Sequence, residues 1–254
     1  MRLKTLFFLL IVRPLLLLLS GIRAEGSERL PRQGPTILVA NHNSHLDTLA
    51  LMSLFPAATL PQVRPVAARD YFYATALRRF FSERLVGILP LERRGVRHQP
   101  GHHPLDPLAE ALDRGEILII YPEGSRGEPG ELRPFKSGFA HLAKMRPEVP
   151  VIPVEIRGTD RALPKDEALW VPFIIDINIG EACYYNGTVR EFTRRIECFF
   201  REPPQNDFPE RFHSMATKER LPRRGSIGIS DCQSCRVKPT IFRRTQEGDP
   251  HADR

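Results

Sequence analysis

Residues 36–52, TILVANHNSHLDTLALM, decide how the chain is read. An apolar run with strand character, Thr36 to Ala40, stops at a crowd of chemically able side chains: Asn41, His42, Ser44, His45 and Asp47. Apolar residues then resume at helical spacing, which makes the stretch a strand, a turn and a helix. Ser44-His45-Leu46-Asp47 fits a capping box, in which a serine opens a helix and an acidic residue three positions on reaches back to its amide. That explains Ser44 and Asp47 without any chemistry. It leaves Asn41-His42 unexplained, at the carboxyl end of a strand, where open α/β sheets bind ligands. A tight turn there can fold His42 back onto Asp47. The carboxylate would fix the imidazole tautomer and make His42 a competent general base near neutral pH. His45, on the first helical turn, is expected to face away.

The same alternation of short apolar runs and helix-period segments continues from residue 35 to about 201. Strands are expected at 36–40, 63–67, 87–91, 116–121, 149–156 and 173–179, and helices at 45–55, 70–85, 104–114, 135–146 and 189–201. The run EILIIYPEG, 116–124, is continuously apolar before its proline, as a strand covered on both faces must be. The expected fold is α/β: a single mixed, mostly parallel sheet flanked by helices. No repeat of solenoid period occurs.

Three later stretches also end strands in chemistry. GILPLERRG, 87–95, closes on Glu92, Arg93 and Arg94, which alone would be a solvated loop. YPEGSRGEPGELRPFKSG, 121–138, carries Glu123, Gly124, Ser125 and Arg126, then Lys136 before the next helix. Alone it is a Gly/Pro surface loop, but an arginine at a sheet edge suits phosphate or carboxylate, because its planar fork binds two oxygens at once. VPVIPVEIRG, 149–158, has two prolines in a strand, which points to an edge or irregular strand.

The ends differ from the middle. Residues 1–30 begin MRLKTLFFLLIVRPLLLLLSGIRAEGS. As a membrane span, 5–22 would reach roughly 27 Å but would place Arg13 near the bilayer centre at a cost of about 2.5–3.5 kcal/mol. As a secretory signal it is split by Arg13-Pro14 and lacks a good cleavage site. A helix or helix pair lying in one leaflet is favoured over both, with Arg2, Lys4, Arg13 and Arg23 at the headgroups. In residues 203–254, Leu, Ile, Val and Phe number only 8 of 52, too few to bury a core, so a basic, disordered tail is expected. The organisation expected is thus a membrane anchor over 1–30, a catalytic domain over 31–202 and a tail over 203–254. A net charge of +7 fits an anionic partner: phospholipid headgroups, a phosphorylated substrate or nucleic acid. Cys183, Cys198, Cys232 and Cys235 lie outside the body of the core, so a reducing compartment is the default. Neither Cys232-x2-Cys235 nor the His98, His102, His103 group has a convincing metal-ligand pattern.

In order and spacing, NHNSHLD, GILPLERR, YPEGSR with FKSG, and VPVIPV resemble the four blocks of the glycerolipid acyltransferase family, typified by lysophosphatidic acid (1-acyl-glycerol-3-phosphate) acyltransferases. The match covers roughly residues 35–180. The resemblance implies that His42 deprotonates an acceptor hydroxyl, which attacks an acyl thioester directly, and that Asp47 orients His42. It implies an acceptor phosphate on Arg93, or on Arg94 if the register slips by one. Glu123, Gly124, Ser125 and Arg126 would shape the acceptor site, with Pro153 walling it; Lys136 would add charge. Tyr121 stands where the family often has Phe, and Ser125 where it often has Thr. The implied partners are membrane phospholipids, a lysophospholipid acceptor and acyl-coenzyme A or acyl carrier protein, with no cofactor, no metal and no nucleic acid, and a site facing the cytoplasm.

Three other readings compete. Another lyso-lipid or an aminolipid could be the acceptor on the same fold. A non-catalytic basic surface for membrane or nucleic acid could form from Arg78, Arg79, Arg84, Arg93, Arg94 and Arg97 with Phe80 and Phe81, but leaves His42, Asp47 and the ordered blocks unexplained. A hydrolase would result if His42 activated water.

Overall fold

The computed structural model describes residues 3–68, 79–91, 103–124, 132–159 and 173–201. The chain divides into two units, Met1–Pro203 and Pro204–Arg254, and the second, with the expected tail, lies outside the described residues. The first is built on one seven-stranded sheet. Its strands are β1 (Ile22–Glu25), β2 (Thr36–Ala40), β3 (Val63–Ala68), β4 (Leu89–Leu91), β5 (Ile117–Ile120), β6 (Val151–Arg157) and β7 (Ile175–Ile179). They lie in the order β1-β7-β6-β2-β5-β3-β4, parallel throughout except for the antiparallel β6–β7 pair. This is the mixed, mostly parallel sheet that the alternation of periods predicts. β1 is an addition, hidden in the sequence by the longer apolar stretch before it.

Side chains of successive strand residues leave opposite faces of the sheet, so each central strand feeds two cores. Leu38, Ala40, Ile117, Ile119, Ile152, Val154 and Ile156 face one side, and Ile37, Val39, Leu118 and Val151 the other. The second face is covered by α4 (Asp106–Asp113), α5 (Gly138–Met145) and α6 (Val189–Phe199), through residues such as Leu108, Phe139 and Phe192. The first is covered by α3 (His45–Ser53) and by the N-terminal helices α1 (Leu3–Phe7) and α2 (Arg13–Leu19).

The N-terminal helices therefore have one face in the core. Phe8, Val12 and Leu16 recur at helical spacing and are buried against α3 and the sheet; truncating Phe8 to Ala would cost about 3–5 kcal/mol. Between the helices, Phe8–Val12 is a π-helical turn. Pro14, in the first turn of α2, has no N–H to give to the residue 10 carbonyl, and the turn ahead of it widens accordingly. Two of the four basic residues expected at a lipid surface turn inward. Lys4 is buried and donates to the Val63 carbonyl. Arg13 donates through Nε to the Ser53 carbonyl at 3.0 Å and through Nη2 to that of Phe55. Those carbonyls, at the end of α3, lack helical partners, and a guanidinium satisfies them. Arg23 is exposed on β1, and Arg2 lies outside the described residues. Among the described residues no helix is long and apolar enough to cross a membrane.

A candidate active site at the carboxyl edge of the sheet

β2 is flanked by β5 and β6, both parallel to it, so the three strands deliver the loops at 41–44, 121–124 and 158–159 to one edge. β2 itself is wholly buried. Asn41 extends its ladder with a side chain: Nδ2 donates to the Ile156 carbonyl and Oδ1 accepts from the Ile156 amide, each at 2.7 Å. A buried amide group so placed stands in for one more residue of backbone pairing, and it locks the start of the turn to β6.

The turn then closes on Asp47, which is fully buried. Asp47 Oδ2 lies 3.0 Å from His42 Nδ1 and accepts from the amides of Asn43 at 2.7 Å and Ser44 at 2.8 Å. Ser44 Oγ in turn accepts from the Leu46 amide at 3.3 Å, completing the capping box. Asp47 Oδ1 accepts from the hydroxyl of Thr159, itself fully buried. A carboxylate only accepts, so Nδ1 of His42 carries the hydrogen and Nε2 is the basic nitrogen left for a substrate. Cap and histidine are thus held by one carboxylate oxygen.

Two further groups fix His42. Its backbone amide donates to Glu123 Oε1 at 2.8 Å, and Glu123 Oε2 accepts from the Arg133 amide at 3.3 Å. Glu123 is 4% exposed, so both oxygens are used inside the protein, and burial pushes its carboxyl above the ordinary range against the pull of those two amides. The Tyr121 ring stacks on the imidazole with centroids 4.2 Å apart and planes 24° from parallel. Its hydroxyl lies 2.7 Å from Thr48 Oγ1, one residue past Asp47. Burial, reinforced by the nearby Asp47 charge, drives the phenol far above its usual range, so it stays a neutral hydrogen-bonding group.

Gly124 follows with φ +73°, where a Cβ would collide with the Lys136 ammonium. The Lys136 amide donates to the Pro122 carbonyl at 2.9 Å, so Lys136 lies over the 121–124 turn while remaining exposed. Pro153 pairs with Val39 in the sheet and packs near Gly180 and Phe199. His42, Asp47, Glu123, Gly124 and Lys136 therefore meet at one edge, His42, Glu123 and Gly124 from the ends of strands, Asp47 from the first turn of α3 and Lys136 from just before α5. Arg93, Arg94, Ser125 and Arg126 lie outside the described residues, as do Arg78, Arg97, Cys232, Cys235, His98 and His102. His45 is not turned away: its ring lies edge-on to His42, centroids 6.5 Å apart. Sequence reasoning missed Thr159 and the stacking of Tyr121, because nothing local marks a threonine that meets an aspartate 112 positions away. Among the described residues no group of three or more His, Cys, Asp or Glu side chains could hold a metal ion.

The acyltransferase family model matches residues 21–157, from β1 to the end of β6. The human 1-acyl-sn-glycerol-3-phosphate acyltransferase alpha is 31% identical over 139 residues, covering 54% of this chain and 46% of that protein. The chloroplastic 1-acyl-sn-glycerol-3-phosphate acyltransferase BAT2 of Brassica napus is 32% identical over 146 residues, covering 55% and 38%. The match thus spans less than half the length of these curated relatives. The crystal structure of the 1-acyl-sn-glycerophosphate (LPA) acyltransferase PlsC from Thermotoga maritima superposes with a TM-score of 0.61 at 22% identity, covering 78% of this chain and 77% of that one. At that identity the likeness establishes the fold.

Proposed function

The chain belongs to the acyltransferase family, and from that premise we propose that it transfers a fatty acyl group from an acyl thioester to the free hydroxyl of a lysophospholipid. The proposed acceptor is 1-acyl-glycerol-3-phosphate and the product phosphatidic acid, in keeping with the names of the curated relatives. The observation that carries the reading is the 3.0 Å approach of His42 Nδ1 to a fully buried Asp47 at the carboxyl edge of the sheet.

In the proposed reaction His42 Nε2 takes the proton of the acceptor hydroxyl as its oxygen attacks the thioester carbonyl. The tetrahedral intermediate then expels the thiolate, which takes that proton back from the imidazolium. No covalent acyl-enzyme forms. Asp47 holds the imidazole and balances its transient charge, at a reaction centre where general-base assistance contributes about 10²–10⁴-fold. Arg93 or Arg94, Ser125 and Arg126 are proposed to hold the acceptor together with Lys136, whose exposed ammonium suits a phosphate. The donor is acyl-coenzyme A or acyl carrier protein, and the site is proposed to face the cytoplasm.

The same reading puts the protein on a membrane surface. Leu10, Leu17 and Leu18 on the outer side of the N-terminal helices are 66%, 80% and 81% exposed, and Phe80 and Phe81 are exposed as well. Apolar exposure of this kind suits an interfacial segment.

The test is a transfer assay in detergent with an acyl-coenzyme A donor and three conditions: lysophosphatidic acid, a lyso-lipid without phosphate, and no acceptor. Acylated product with lysophosphatidic acid supports the reading. Free fatty acid released at the same rate without acceptor would identify a hydrolase instead. An Arg93→Ala protein that loses only phosphate-bearing acceptors would support the assigned phosphate contact.

A further inference from the structure

We propose that Thr159 is a positioning residue for the reaction: its hydroxyl fixes the plane of the Asp47 carboxylate and so keeps Oδ2 turned toward His42. The inference rests on the reading of His42 as the base. Three groups crowd onto one oxygen of Asp47, namely the His42 ring and the amides of Asn43 and Ser44. Among the described residues the other oxygen has a single partner, the Thr159 hydroxyl. Both residues are fully buried, so bulk solvent does not reach that oxygen in the folded protein. Without it Oδ1 would be an unpaired ionised oxygen in the interior, and the carboxylate would turn about its own bond to share its two oxygens among the three remaining donors. The His42 contact, the only one of the three made by a rotatable side chain, is the one that such a turn lengthens.

The position of Thr159 is itself specified. β6 ends at Arg157, and Gly158 takes φ +86°, with a Cβ there running into the carbonyl oxygen of Ile174. The sharp bend brings the next residue beneath Asp47. Three residues earlier Ile156 makes the double hydrogen bond with Asn41. The end of β6 thus grips the His42 turn from both sides, through Asn41 before the histidine and through Asp47 after it. A threonine that only filled space would need no such approach to a carboxylate.

The experiment compares Thr159→Val, Thr159→Ser and Thr159→Ala with wild type and with His42→Ala, using acyl-coenzyme A and lysophosphatidic acid, with thermal melting as the check of folding. Thr159→Val and Thr159→Ala are expected to lower kcat about ten- to a hundredfold while the acceptor KM changes by less than about twofold, and Thr159→Ser to restore kcat to within about threefold. A folded Ile196→Val protein, altered in the core on the opposite face of the sheet, is expected to melt earlier with kcat unchanged. If Thr159→Val does not fold, Thr159→Ser against Thr159→Ala asks the same question, since they differ by the hydroxyl alone. Wild-type kcat in folded Thr159→Val or Thr159→Ala, or a Ser variant as impaired as the Ala variant, would overturn the proposal while leaving the base reading intact. Full activity of His42→Ala would remove the base reading, and the role of Thr159 with it.

Discussion

The Tyr121 ring lies stacked on the His42 imidazole, 4.2 Å between centroids, while its hydroxyl reaches Thr48 at 2.7 Å. The aromatic face therefore holds the base from the side that Asp47 does not. The two contacts separate by mutation. Tyr121→Phe keeps the stack and leaves Thr48 to find another partner, so kcat is expected to stay within about threefold of wild type, with a stability loss of about 1 kcal/mol. Tyr121→Ala removes the wall, and its kcat is expected to fall more than tenfold. Equal kcat in the two variants would show that the stack does not position the imidazole.

Arg13 ties the N-terminal helices to the end of α3, whose other end carries Asp47. Arg13→Met keeps an apolar stem and leaves the Ser53 and Phe55 carbonyls without their partner. A loss of about 1–3 kcal/mol is expected, seen as a melting point several degrees lower in detergent. A guanidinium that served only lipid headgroups would give the opposite pattern: an unchanged melting point and weaker binding to anionic vesicles.

Glu123 titrates above its ordinary value because it is buried. A carboxyl whose folded value is raised gives stability that is fully present below the unfolded value, near 4.5, and is lost as pH rises through the folded value. The stability difference between wild type and Glu123→Gln is therefore expected to move against wild type as pH rises from about 4.5, and chemical denaturation across that range measures it. A difference that instead grew in favour of wild type with rising pH would mean that the two amide bonds outweigh burial.

Much of this was legible because it is local. β2 falls where the apolar run predicts, and the Ser44–Asp47 capping box is readable from four residues, so the helix start and the folding back of His42 follow from one turn. The convergence of three strand-end motifs follows from the parallel order of β5, β2 and β6. What sequence alone could not supply is contact across distance. Asn41 was visible as a polar residue after a strand, yet its partner Ile156 is 115 positions on. Lys4 and Arg13 look like headgroup residues from their neighbours and become inward-facing donors, Lys4 buried and Arg13 partly so, only once the sheet and α3 present their carbonyls. β1 escaped notice because Ile22–Glu25 alternates for only four residues after a far stronger helical signal.

The proposed reaction requires His42 as the base with Asp47 behind it. The most direct measurement is the acyl-transfer rate of purified His42→Ala, with its fold confirmed by thermal melting, against wild type in the same detergent with acyl-coenzyme A and lysophosphatidic acid. If His42 is the base, kcat falls by about 10²–10⁴-fold with the melting point nearly unchanged. A folded His42→Ala protein that transfers acyl groups at the wild-type rate would contradict it.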